Sequence, residues 1–125
     1  MKDEGRRAEK EDLRKRTKEF ALKIIRLCLS LPRHPQVQIV NNQVLRSGTS
    51  VGANYREGYR ARSEQEFISK LGVCVQELEE TGYWLELLEE SGMCPKEKLT
   101  ELKDEVEQLT AIFVSSIKTM KSKQR

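Results

Sequence analysis

The residues of this sequence that could bind or transform a ligand are concentrated in one stretch, Arg46–Arg62. It reads RSGTSVGANYREGYRAR and holds three glycines among four arginines. Glycines at fixed spacing before a helix can cradle a phosphate, but neither GxxxxGK followed by Ser or Thr nor GxGxxG occurs here. We therefore interpret Gly48, Gly52 and Gly58 as helix-packing positions, where a missing side chain lets another helix approach closely.

The four arginines of the same stretch predict a surface property. On a helix at about 100° per residue, Arg46, Arg56 and Arg60 share an exposed side, and Arg62 lies just beyond it. Guanidinium groups suit phosphate oxygens, so we predict a basic face that contacts a nucleic-acid backbone. The first helix contributes four further cations, namely Lys15, Arg16, Lys23 and Arg26. Two alternatives stay open: a solvated face, or pairing with carboxylates of the acidic third helix such as Glu77.

The charges are segregated along the chain. Residues 1–62 carry 15 Lys/Arg and 7 Asp/Glu, whereas residues 63–125 carry 8 and 13. The basic half could therefore meet a polyanion. It could equally pair with the acidic half of the same chain, of a neighbouring subunit or of another protein.

The sequence lacks the usual constellations of catalytic or metal-binding residues. Its one histidine, His34, stands between two prolines, and its three cysteines are far apart, with no CxxC. Residues 48–52, GTSVG, match the GxSxG spacing, but they lie within the second helical segment and not after a strand, where a nucleophile elbow is found. No ExxH pair is present. We expect no enzyme activity, no metal and no cofactor. Cys28 and Cys74 are predicted to be small buried hydrophobic residues, and Cys94 a loop thiol.

Four amphipathic segments supply the elements that must position these residues. Apolar residues recur at spacings of three and four in each segment. The four stripes run from Leu13 to Leu31, from Val37 to Tyr55, from Phe67 to Leu88, and from Leu99 to Met120. Pro32 ends the first segment, Ser63 and Glu66 form a capping box before the third, and Gly92 ends the third.

These segments predict an all-α protein, an antiparallel up-down four-helix bundle that forms a single domain over residues 1–125. Residues 1–10 and 120–125 are expected to be flexible. The N-terminus lacks the apolar region of a secretory signal, and no apolar run reaches the roughly 18 residues of a membrane span. A cytoplasmic location without membrane contact is therefore expected.

Arg46–Leu87 resembles the small bacterial four-helix-bundle proteins encoded in intervening sequences of large-subunit ribosomal RNA genes. The resemblance runs through SVGAN at 50–54, EG at 57–58, EF at 66–67 and ELEETGYWLEL at 77–87. The second and third helices carry most of it. At positions 55 and 56 this chain has tyrosine and arginine, where an aliphatic residue and alanine are expected.

The resemblance implies a non-enzymatic protein that assembles into a homopentameric ring. A related bundle is the accessory protein of diversity-generating retroelements, which implies RNA or DNA, a reverse transcriptase or another protein as partners. The alternative function is an interaction scaffold without nucleic-acid contact. Ile68, Val73 and Tyr83 lie off the main stripe of the third helix and are the candidate residues of an oligomer interface.

Overall fold

The computed structural model describes the backbone of residues 2–124 and the side chains of residues 12–124. It contains four α-helices: α1 (Lys2–Ser30), α2 (Pro35–Tyr59), α3 (Glu64–Glu90) and α4 (Lys96–Lys123). Short connections make consecutive helices antiparallel, and α2 packs along both α1 and α3. The predicted all-α four-helix bundle is confirmed, and no strand occurs within residues 2–124.

All four helices contribute to one apolar core. The predicted stripes are buried along most of their length, with Ile24, Val44, Leu78 and Leu109 fully enclosed. Burying one such side chain stabilises the fold by about 1.5–3 kcal/mol. The core also encloses hydroxyl groups. Those of Ser47 on α2 and Thr81 on α3 lie 2.8 Å apart, so neither is buried without a partner.

The three glycines of α2 lie where this helix packs against α1 and α3. A Cβ atom on Gly48 would lie 2.8 Å from Cγ1 of Ile24, and one on Gly52 would lie 3.3 Å from the Thr17 hydroxyl oxygen. Both contacts join α2 to α1. Gly58 instead faces α3, where an added Cβ would lie 3.0 Å from Cβ of Lys70. Side chains at these positions would push the helices apart.

The ends of α3 follow the sequence signals closely. Ser63 caps the helix by accepting a hydrogen bond from the backbone N–H of Glu66 at 3.1 Å. The return bond of a capping box is shifted, because the Glu66 carboxylate accepts from the N–H of Arg62 at 3.4 Å, not from that of Ser63. At the other end Gly92 has φ +78°, the left-handed conformation that favours glycine after a helix.

Both ends of the chain were predicted to be flexible. The side chains of residues 1–10 lie outside the described residues. For residues 120–125 flexibility stays a prediction, and α4 continues to Lys123. Within the part of the chain that the structure describes, no helix is long and apolar enough to cross a membrane.

Candidate nucleic-acid interface

Three arginines surround the turn between α2 and α3. Arg56 and Arg60 lie at the end of α2 and Arg62 in the turn, and all three are exposed; we call them the turn arginines. No carboxylate among residues 12–124 lies within 4 Å of their guanidinium nitrogens. Glu57, the acidic residue nearest to them in sequence, accepts instead from Nζ of Lys70 at 2.6 Å. Positive charge is therefore available to a ligand at this turn.

A second group of predicted cations is held by carboxylates, and we call Arg16, Lys23 and Arg46 the paired cations. Arg16 on α1 donates to both oxygens of Glu105 on α4, from Nε at 2.9 Å and from Nη2 at 2.6 Å. Lys23 on α1 donates to Glu101, which lies on α4 one helical turn before Glu105. The hydrogen bonds with these carboxylates raise the pKa of Arg16 and of Lys23. Both ion pairs join α1 to α4, helices that otherwise touch only locally.

Arg46 belongs to the same group. Its guanidinium lies between Glu77, at 3.3 Å, and Glu80, both on α3, and its side chain remains half-exposed. Pairing with the acidic third helix was one of the alternatives left open by the sequence, and the structure shows it for this arginine. Contact with phosphate would require Arg46 to exchange these carboxylates for the ligand.

The eight predicted cations therefore do not form one face. Lys15 and Arg26 on α1 are exposed and form no ion pair with a described carboxylate. Cys28 packs opposite Asn41, which places Arg26 beside the first half of α2. Arg56 lies 15 residues beyond Asn41, about 22 Å further along the helix axis. Arg26 is thus remote from the turn arginines.

One cation near the turn was missed by the sequence reasoning. The guanidinium carbon of Arg14 lies 5.7 Å from the centre of the Tyr59 ring, a cation–π contact between α1 and the last turn of α2. The basic run Arg14–Arg16 was a usable signal, because an antiparallel α1–α2 pair places this part of α1 beside the end of α2. Arg14 extends the basic region of the turn onto α1.

The predicted oligomer interface residues differ in exposure. Ile68 and Val73 are half-buried, whereas 54% of Tyr83 is exposed. A larger apolar surface lies elsewhere and was missed: Leu22, Ile25 and Leu29 on α1, with Ile39 and Leu45 on α2, are all exposed. Leu22, Ile25 and Leu29 recur at spacings of three and four beside the core stripe of α1, which is the signal that could have found them.

Candidate metal ligands and the cysteine thiols can be described for residues 12–124. No group of three or more His, Cys, Asp or Glu side chains that could hold a metal ion occurs among them. Burial raises the pKa of Cys74 to about 12 and that of Cys28 to about 11, so both thiols stay protonated near neutral pH. Cys94 lies in the loop between α3 and α4 as predicted, but its side chain is only 2% exposed and packs in the core. Cys74 is buried as predicted, whereas Cys28 is only half-buried.

Comparisons with known proteins agree with this fold. The family model of 23S rRNA-intervening sequence proteins matches residues 9–115. A crystal structure of a protein with unknown function from the S23 ribosomal protein family of Bacteroides thetaiotaomicron has 34% sequence identity to this chain and a TM-score of 0.81. The match covers 87% of this chain and 97% of that one. A search of curated proteins gave no match. Because the family model spans most of the sequence, the chain belongs to the 23S rRNA-intervening sequence protein family.

Proposed function

We propose that this protein is a non-enzymatic homo-oligomer that binds RNA or DNA through phosphate groups at the turn arginines. The observation that carries the proposal is the absence of described carboxylate partners around Arg56, Arg60 and Arg62, while the paired cations are engaged. Arginines that form no ion pair with a described carboxylate attract a polyanion at the least cost, because no such pair has to be broken.

The proposed contacts are to the backbone and not to bases. Sequence readout of single-stranded RNA commonly uses aromatic side chains on which unstacked bases stack. The aromatic rings near the turn are engaged in the fold: Tyr55 is buried against Phe113, and Tyr59 lies under Arg14. We therefore expect weak discrimination between sequences and strong dependence on salt.

Assembly would multiply these contacts. The family resemblance implies a pentameric ring, and we propose this assembly for the chain. A ring would present the turn arginines once per subunit. Weak phosphate contacts on several subunits then act together on one nucleic-acid strand, which raises the overall affinity without any new contact.

The test compares two variants with the same change of net charge. In one, the turn arginines are replaced (R56Q/R60Q/R62Q), and in the other the paired cations are (R16Q/K23Q/R46Q). We expect the first variant to bind a labelled 30-nucleotide mixed-sequence RNA about tenfold or more weakly than wild type, and the second to bind nearly as wild type. Fluorescence anisotropy measures the affinity, and circular dichroism checks the helix content.

Equal loss of affinity in both variants would mean that only net charge matters and would remove the turn arginines as a site. Absence of RNA and DNA binding by the wild-type protein would favour the second candidate function, an interaction scaffold. The scaffold is favoured by a different observation, the exposed apolar side chains Leu22, Ile25 and Leu29 on α1.

A further inference from the structure

A shallow groove lies between α1 and α2 near the end of the bundle opposite the turn arginines. Its volume is about 520 Å³. Ile25 and Leu29 from α1 and Leu45 from α2 line it, and 81% of Leu29 is exposed. Apolar side chains grouped in a groove are typical of a surface that another protein covers.

The groove also has a defined polar character. Asn41 lies in its lining and is only 8% exposed; its Nδ2 donates to the carbonyl of Cys28 at 3.2 Å, but its Oδ1 accepts no hydrogen bond from the described residues. Arg33 also lines the groove, and residues 20–56 contain no Asp or Glu. A complementary partner would therefore combine an apolar group with negative charge.

The outer side of α3 has this combination. Tyr83 is 54% exposed, its ring is held edge-on against Trp84 with 5.2 Å between the ring centres, and its hydroxyl is a donor. Glu79, Glu86 and Glu90 lie four residues before it, three after it and seven after it, so they share its side of the helix. All three are exposed and form no ion pair with a described cation.

We propose that Tyr83 and its flanking carboxylates on one copy of this chain dock into the α1–α2 groove of a second copy. Tyr83 is not among the residues that line the groove of its own chain, so the two surfaces are free to meet between copies. The phenol ring would cover Ile25, Leu29 and Leu45, while the carboxylates approach Arg33 and Arg26. The proposal rests on the assembly part of the proposed function and names both of its surfaces.

Two different surfaces make this contact head-to-tail. Such an interface closes into a ring or continues as a filament, and it leaves one free surface of each kind on any open assembly. Blocking the groove on one chain therefore leaves that chain's α3 surface intact, and blocking the α3 surface leaves the groove intact. This asymmetry provides a test that a symmetric dimer contact would fail.

The experiment measures mass by sedimentation velocity for the wild type, Leu29→Asp, Tyr83→Asp and an equal mixture of the two variants. We expect the wild type to be an oligomer and each variant alone to sediment as a monomer of 14.5 kDa. The mixture should form a dimer of twice that mass and nothing larger, because only one intact groove and one intact α3 surface can meet. Thr100→Asp, which adds the same charge at an exposed position of α4, should keep the wild-type mass.

Two results would overturn this contact while leaving the assembly in place: variants that keep the wild-type mass, or monomeric variants that stay monomeric when mixed. A monomeric wild type at 100 µM would overturn the assembly itself. These three results are distinguishable from a failure of nucleic-acid binding, which is measured separately with R56Q/R60Q/R62Q. Both substituted side chains are exposed, and circular dichroism verifies that the variants fold.

Discussion

The paired cations and the turn arginines are similar in chemistry and different in surroundings. Arg46 and Arg56 lie on the same helix, ten residues apart, yet Arg46 is held by two carboxylates of α3 and Arg56 by none among the described residues. The difference follows from what each position faces across the helix contact. In the middle of the bundle the basic helices α1 and α2 meet glutamates of α3 and α4, whereas α2 ends beside a turn.

This difference shows that the sign of a charge and its availability are separate properties. The excess of positive charge in residues 1–62 is real, but part of it is used within the fold to join α1 to α4 and α2 to α3. Only the remainder can act on a ligand without first breaking an ion pair.

The largest expected effect on stability concerns the contact between α1 and α2 at Gly48. Gly48→Ala should lower the free energy of unfolding by about 1–2 kcal/mol, because the clash with Ile24 outweighs a gain of about 1 kcal/mol in helix propensity. Gly72→Ala on α3 is the matched control. It has no atom within 4 Å of the added Cβ and should raise the same quantity by about 0.5–1 kcal/mol. Urea unfolding measures both, and a stabilised Gly48→Ala would show that α1 and α2 do not need this close approach.

The next effect concerns the cap beside the turn arginines. Ser63→Ala removes the acceptor for the Glu66 amide and should lower the free energy of unfolding by about 1 kcal/mol. RNA affinity should change little, because the long arginine side chains do not depend on this hydrogen bond. Thermal unfolding and anisotropy test the two parts. Ser115→Ala, at an exposed position within α4, is the control and should be close to neutral.

The smallest effect distinguishes the two groups by stability alone. Arg16→Gln should cost about 0.5–1 kcal/mol, because it removes a two-pronged, part-buried ion pair with Glu105. Arg56→Gln should leave the free energy of unfolding within about 0.5 kcal/mol of the wild type. Urea unfolding at low salt measures both. Equal values for the two variants would remove the structural distinction on which the comparison rests.

Much of the fold was predictable from the sequence, because it depends on local patterns. The spacing of apolar residues predicted the four helices, and Ser63 and Gly92 predicted the two ends of α3 within a residue. Gly48 was predicted as a packing position from its place on the apolar side of α2. These features need only the period of the helix and the conformations that each residue type prefers.

The division of the candidate site was not predictable, because it depends on the register between helices. The sequence shows that Arg46 and Glu80 are charged, but not that antiparallel packing brings them together. Arg14 was missed for the same reason, since its partner Tyr59 is distant in sequence. Leu29 was missed because a helical pattern indicates which stripe forms the core, but not that an apolar side chain beside that stripe stays exposed.

The most direct measurement is the salt dependence of RNA binding for the wild type, R56Q/R60Q/R62Q and R16Q/K23Q/R46Q. The slope of log K against log salt is negative, and for single-stranded RNA each lost phosphate contact reduces its magnitude by about 0.7. We predict that loss of the three turn arginines reduces the magnitude by about 2 per bound subunit, while loss of the paired cations leaves it unchanged. The same slope for the wild type and R56Q/R60Q/R62Q would contradict the claim that the turn arginines contact phosphates.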